Sequence, residues 1–243
     1  MNRTTEKTPV CKPPILDNRL TMTAALIPEN AVVADIGTDH AYLPCFLVNN
    51  GMIPSAIASD VADGPMENAK KTVEKYGLAD KITVRKSDGL QNIRPAECTC
   101  IVLAGMGGNL ICDILSAAPW SHEKYLVLQP MTHSQDVRQF LCEHSFAITD
   151  EQAVLDGDKV YIAFAAKHMY NNLYNDDIFY YWFGSYYKKD DAASHAFVAR
   201  QIKRLRDRLS GLQKTNAMRD EYNTIQALLN DKRLEAHMHD NSR

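Results

Sequence analysis

Residues 31–40 read AVVADIGTDH, a run of β-branched and small apolar residues that stops on an acid, a glycine and further polar side chains. Such a run fits a buried strand over 31–37, and its end fits the turn into a helix over 40–50 closed by Asn49, Asn50 and Gly51. The unit then recurs. Residues 55–61 (SAIASDV) are a second strand, and Gly64 and Pro65 open an amphipathic helix through Tyr76 that Gly77 stops. Residues 81–86, 99–103 and 125–128 supply three more strands, with helices at 109–117 and 134–144. This alternation predicts right-handed βαβ units and a mostly parallel sheet. The rhythm changes at 146–155 and 159–166, two β-rich runs joined around Asp156-Gly157-Asp158. They predict an antiparallel hairpin that closes the sheet.

The 243-residue chain is 45% hydrophobic and 23% charged, enough for one sizeable core and a small second unit. Its longest apolar run, 160–166, is far short of the ~20 residues that cross a bilayer. The first fourteen residues carry Lys7, Pro9, Lys12, Pro13 and Pro14 without the apolar stretch of a signal peptide, so a cytoplasmic protein is expected. Cys11, Cys45, Cys98, Cys100, Cys112 and Cys142 form no C-x-x-C pair. Buried reduced thiols are expected, with neither a disulfide framework nor a metal site.

Charge is distributed unevenly. Residues 1–187 hold 15 basic and 22 acidic side chains, whereas 188–243 hold 12 and 8. A polyanionic partner is therefore expected at the C-terminal third. There, Asn171, Asn172, Asn175, Asp176 and Asp177 make a polar joint, and the aromatic-rich stretch 178–187 is expected to pack the tail onto the sheet unit. Val198, Ile202, Leu205, Leu209 and Leu212 follow at 4-3-4-3 spacing, and Met218, Tyr222, Ile225 and Leu229 repeat it after a break at 214–217. Two such seams predict an antiparallel helical hairpin, with Lys203, Arg204, Arg206 and Arg208 outside the seam, facing solvent or a partner. The expected organisation is a flexible N-terminal extension (1–14), a sheet domain (15–168) and a helical, coiled-coil-like tail (169–243).

Ligands of nucleotide-binding α/β folds sit beyond the carboxyl ends of the strands. Here the first strand ends on Asp35 and Gly37, and the second on Ser59, Asp60 and Val61, with Asp60 placed for a ribose diol. The third ends on Ser87, Asp88 and Gly89, where a carboxylate suits an adenine amino group. The fourth ends on Ala104, Gly105, Met106, Gly107 and Gly108, with Met106 either lining the pocket or packing inside. A dinucleotide needs the bare backbone amides of a G-x-G-x-x-G turn. The second glycine position is Asp39, and a carboxylate repels a phosphate charge by about 4 kcal/mol at about 4 Å and an effective dielectric near 20. S-Adenosylmethionine, with a positive sulfonium and ammonium, suits the acid-rich turn instead. A nicotinamide oxidoreductase is thereby disfavoured.

The sequence resembles the bacterial tRNA adenine-22 N1-methyltransferases from about Leu16 to Ala166, and more loosely through the tail. The matching stretches are LDNRL (16–20), VADIGTDHAYLP (33–44), DVADGP (60–65), SDGL (87–90), LAGMGGNLI (103–111) and LVLQP (126–130). The resemblance implies a Rossmann-like class I methyltransferase sheet, parallel with one antiparallel closing strand, followed by a C-terminal helical hairpin. It implies S-adenosylmethionine as cofactor, S-adenosylhomocysteine as product, and methylation of N1 of adenine 22 in the tRNA D-arm. It puts Asp35, Gly37, Asp60, Asp88 and Gly105 around the cofactor, and Arg19, Asp39, His40 and Tyr42 at the substrate mouth.

On that basis Asp39 is a counter-charge, His40 or Tyr42 stacks on or hydrogen-bonds a flipped base, and Arg19 holds a phosphate. Gln129 accepts from the adenine amino group. Plainer roles compete: His40 as a helix cap, Tyr42 as core, Arg19 as the partner of Asp17. Two positions depart from the family pattern: Asp60 stands where relatives often have Glu, and Met131, after Gln129-Pro130, where they often have Asn. A methyltransferase for another RNA nucleobase, or a methyltransferase-like RNA-binding protein without turnover, are the alternatives.

Overall fold

The computed structural model describes residues 12–169, 177–213, 219–234 and 237. Its strands are β1 (Val32–Ile36), β2 (Ser55–Asp60), β3 (Ile82–Lys86), β4 (Cys100–Gly107), β5 (Tyr125–Thr132), β6 (Phe146–Asp156) and β7 (Lys159–His168). They form one sheet of order β3-β2-β1-β4-β5-β7-β6. All neighbours run parallel except β7, which is antiparallel to both β5 and β6, so the hairpin closes the sheet as its turn residues predict. The strand order reverses between β1 and β4, which opens a crevice at their carboxyl ends.

Both faces of the sheet are covered, as parallel strands require. Because successive side chains alternate, Ile101, Leu103, Leu126 and Leu128 point one way and Cys100, Val102 and Val127 the other. The first set packs under α4 (Gly108–Ser116), α5 (Ser134–Glu143) and the C-terminal helices α6 (Ile178–Phe183), α7 (Ala192–Gln213) and α8 (Arg219–Leu229). The second packs under α1 (Asn18–Ala25), α2 (Tyr42–Asn49) and α3 (Asp63–Lys75). Phe179, Phe183 and Tyr186 are buried in the first core with Phe164 and Phe197, so the aromatic stretch joins tail to sheet. Among the described residues no helix is long and apolar enough to cross a membrane.

One helix has no counterpart among the expected elements, and three local expectations need correction. Helix α1 lacks a long apolar period, and its signal is the Asp17 carboxylate, which accepts from the Leu20 amide at 2.7 Å. Helix α2 starts at Tyr42 behind a left-handed Ala41 (φ 53°) with no side-chain cap, so His40 is not a capping residue. The glycine-rich run 104–108 is no simple turn: β4 continues to Gly107 with bulges after Ala104 and Met106, and Gly105 takes φ +80°. In the tail, Val198, Ile202, Leu205 and Ile225 are buried as the seam predicts, but α8 buries Leu228 rather than Leu229. The polar joint at 171–176, the break at 214–217, Met218 and most of the N-terminal extension lie outside the described residues.

Gly108 marks the tightest approach, where α4 starts against the turn after β5. A Cβ there would stand 2.5 Å from the His133 carbonyl oxygen and 2.7 Å from that of Thr132, both backbone atoms. Gly108→Ala is therefore expected to destabilise the protein by about 1–3 kcal/mol in denaturant unfolding, the usual cost of overpacking.

Candidate active site

At the β1–β4 crevice lies a cleft of about 360 Å³ lined by Arg19, Asp35, Gly37, Thr38, Asp39, His40, Tyr42 and Gly105, among others. Asp35 is its chemical centre. Only 6% exposed, its carboxyl is pushed up by burial to a pKa of about 6. The Thr38 hydrogen bond and the Arg19 charge pull it partly back, while Asp60 adds to the rise. Thr38 also accepts from the Ala41 amide at 3.1 Å, which ties the turn to the start of α2.

Two amides of the turn that would face a diphosphate are already engaged. Gly37 N and Thr38 N both donate to the Ser59 carbonyl, at 2.8 and 2.9 Å. Gly37 has φ +78°, a conformation that selects glycine, and a Cβ on it would lie 2.8 Å from Cε of the flexible Met106 side chain. The rim is acidic and aromatic. Asp39 Oδ2 lies 3.2 Å from His40 Nε2, and the His40 ring stacks on Tyr42 with centroids 5.1 Å apart and planes 12° from parallel. Tyr42 is 43% exposed, which removes it from the core.

Helix α1 brings Arg19 into the same cleft. Its Nη1 donates to Gln129 Oε1 at 2.9 Å, an oxygen that also accepts from the Gly105 amide at 3.0 Å. Asp17 stands farther off, 3.7 Å from Nη2. The expected role of Gln129 therefore needs correction: the residue is fully buried and its carbonyl oxygen already has two donors. It holds Arg19 and the β4 bulge in place rather than offering an acceptor to a base. No sequence spacing links positions 19, 105 and 129; the adjacency of β4 and β5 and the placement of α1 beside them do.

The other strand-end residues spread along the sheet edge. Asp60 at the end of β2 uses Oδ1 to accept from Ala62 N at 2.9 Å. Beside it the Ser59 hydroxyl is buried without a partner, and Val61 is exposed. The Ser87 hydroxyl serves the local turn, donating to Gly89 O at 2.8 Å and accepting from Asn92 N at 3.1 Å. Asp88 and Gly89 line a second groove of about 340 Å³ with Leu110, Ile114 and Trp120. Met106, half-buried, lies over Gly37 and packs against the core below α4. Asp35 and Asp88 thus belong to two grooves along one edge. On α7, Lys203, Arg204, Arg206 and Arg208 are all exposed, with Lys203 2.6 Å from Asp207 and Arg208 paired to Glu221.

Residues 16–164 match the family described as a methyltransferase domain. Over 154 residues the chain is 43% identical to the tRNA (adenine(22)-N(1))-methyltransferase of Bacillus subtilis, a match covering 63% of this chain and 65% of that relative. With two mycoplasma relatives matched over 59% and 61% of their lengths, the chain spans a little under two thirds of the curated relatives it matches. Among solved structures, the B. subtilis M1A22 tRNA methyltransferase TrmK superposes with a TM-score of 0.77 at 31% identity, covering 93% of this chain and 98% of that one. M. capricolum TrmK, solved with S-adenosylhomocysteine, superposes with a TM-score of 0.72 at 27% identity, covering 91% and 97%.

Proposed function

This chain belongs to the methyltransferase-domain family, alongside the bacterial tRNA (m1A22) methyltransferases, and from that premise we propose that it transfers a methyl group from S-adenosylmethionine to N1 of adenine 22 in the D-arm of tRNA. The observation that carries this reading is the buried Asp35 in an acid-rimmed cleft whose turn amides already bind Ser59. Such a site suits a cationic nucleoside better than a diphosphate, which the carboxylates of Asp35 and Asp39 would repel.

The residues present fit that cofactor. Asp35 would face its positively charged amino-acid end, Asp60, whose Oδ1 accepts from Ala62 N, would offer Oδ2 to the ribose hydroxyls, and Asp88 with Leu110 and Ile114 would take the adenine. Ser59, Val61, Ser87, Gly89, Gly105 and Met106 shape the walls. When bound, the cofactor supplies an electrophilic methyl group. Adenine N1 carries an in-plane lone pair and no proton, so the chain needs no general base. Its residues must align the extruded base and tolerate the positive charge that the base acquires. Asp39 is the fixed counter-charge, the stacked His40 and Tyr42 hold the base, and Arg19, set by Gln129, binds a phosphate. The unit 15–168 is the catalytic domain, and the tail 169–243 presents Lys203, Arg204, Arg206 and Arg208 to the RNA in the cytoplasm.

Purified tRNA incubated with a labelled methyl donor is expected to gain one methyl group, mapped to N1 of adenine 22 by mass spectrometry. A different modified nucleotide would favour another RNA target, and no cofactor binding in calorimetry would favour an RNA-binding protein without turnover. In the same assay Asp39→Ala is expected to lower kcat on the order of 100-fold with the fold intact. Near-normal turnover would remove Asp39 from the mechanism.

A further inference from the structure

A separate groove of about 620 Å³ opens where the ends of β5 and the start of β7 meet α7. Its size is in the range that encloses a small organic molecule. One wall is Met131, 44% exposed despite being apolar. Another is a single face of α7 carrying Ala199, Arg200 and Lys203, and Lys159 closes the hairpin side. Its charge is mainly positive: Asp158 is the one acid in the lining, and Asp207 outside it pairs with Lys203.

Arg200 is the unusual member. It is half-buried, its Nη1 donates to Val160 O at 2.7 Å, and its Nε is buried with no partner. Among the described residues no carboxylate pairs with it. A partly desolvated cation without a counter-ion is costly unless a ligand supplies one. The groove also adjoins the catalytic cleft. Gln129, whose carbonyl holds Arg19 in that cleft, directs its amide at Met131 Sδ, 3.7 Å away.

We propose that this groove binds the RNA strand flanking the target base, with Arg200, Lys159 and Lys203 on its phosphodiester and Met131 and Ala199 against the adjoining sugar and base. The proposal deepens the tRNA reading above and rests on it. Lys159 lies on the sheet hairpin and not on α7, so the Lys159→Ala variant taken alone reports the groove, whereas Lys203 belongs to both the groove and the basic face of α7.

The test uses the full-length protein and a tRNA transcript, with the tRNA Kd measured by filter binding across a KCl series and methylation followed in parallel. Lys159 and Lys203 are exposed, so Lys159→Ala and the Lys159→Ala/Lys203→Ala pair spare the fold. The pair is expected to weaken tRNA binding about tenfold, and the slope of log affinity against log salt should fall by about 0.7 per lost phosphate contact. Normal methylation by the wild type with unchanged slopes in both variants overturns this proposal alone. So does a change of oligomeric state in light scattering without a change of slope, which would make the groove an interface between copies. No methylation of tRNA by the wild type overturns the functional reading and this proposal together.

Discussion

The Asp35→Asn variant is expected to melt at a higher temperature than the wild type when free of ligand, and to bind S-adenosylmethionine hardly at all. Both effects come from the same burial. Removing the Asp35 carboxyl from water raises its pKa from 3.8 to about 6 in the folded chain. A raised folded-state value contributes stability that is fully present below pH 3.8 and is lost as pH rises through about 6. At neutral pH the folded protein therefore holds a carboxylate at a cost of roughly 3 kcal/mol relative to the unfolded chain. Asparagine removes the charge but keeps a buried amide, so the expected gain is nearer 1–2 kcal/mol, a few degrees in Tm for a chain of this size.

The cofactor reverses the balance. A cation opposite Asp35 favours the ionised form, so wild-type affinity should strengthen as pH rises from 5 to 7, and the variant should lose that dependence. Removing one member of a buried charge pair costs about 2–5 kcal/mol, roughly 30-fold to several-thousand-fold in Kd. Calorimetric titration and thermal melts across that pH range read both quantities. A wild-type affinity flat with pH, or a variant that melts lower, would remove Asp35 from the role of counter-ion. Stability given up at a site that becomes favourable only with ligand present is a common cost of function.

What a linear reading captures here follows from the distances over which its signals act. Strand alternation, the Asp156-Gly157-Asp158 turn and the acids at 35, 60 and 88 are local patterns, and each lands where its pattern puts it: at a strand, a hairpin or a strand end. Gln129 shows the limit. Its type and position at the end of β5 suggest an acceptor for a base, but whether its oxygen is free depends on Arg19, 110 residues earlier, and on the Gly105 amide of the neighbouring strand. Division of the sheet edge into two grooves is likewise invisible, because it depends on which side chains from separate strands and helices come to line each one. In the tail, the heptad rule places Leu229 on the seam. The eleven-residue α8 instead buries Ile225 and Leu228, three apart, and Leu234 beyond it joins the same core. A short helix keeps its own 3.6-residue turn, and supercoiling has no length over which to correct it.

The most hidden element is a salt bridge, and breaking it should produce the largest loss of stability in the molecule. Charged side chains are read from sequence as surface, yet Arg138 is fully buried and Glu151 is 4% exposed. Arg138 Nε donates to Glu151 Oε1 at 2.8 Å and its Nη1 to the Tyr181 carbonyl at 3.1 Å. The guanidinium lies 5.1 Å from the Phe164 ring centroid, 5.5 Å from Tyr186 and 5.7 Å from Phe197. Glu151 Oε2 accepts from the Ser185 amide. The pair thus joins α5 and β6 to the segment around α6 that carries the tail. Burial alone would push the Arg138 pKa down; the adjacent Glu151 carboxylate outweighs it and keeps the proton bound.

Glu151→Ala leaves that cation in an aromatic interior with one carbonyl partner. The expected cost is about 3–5 kcal/mol, a fall in Tm on the order of 10 °C, because the penalty is that of an uncompensated buried charge and not merely of a lost contact. Replacing both members, as Arg138→Met with Glu151→Leu, should recover part of the loss, since no uncompensated charge remains, although the Ser185 amide and the Tyr181 carbonyl each lose a side-chain partner. Denaturant unfolding of Arg138→Met, Glu151→Leu and the double variant measures the coupling directly, with Glu151→Ala as the reference for the unpaired cation. If the double variant is no more stable than Glu151→Ala, the bridge is not the reason that α6 and α7 stay fixed to the sheet. The surrounding aromatics, Phe179, Phe183, Tyr186 and Phe197, would then carry the attachment through packing alone.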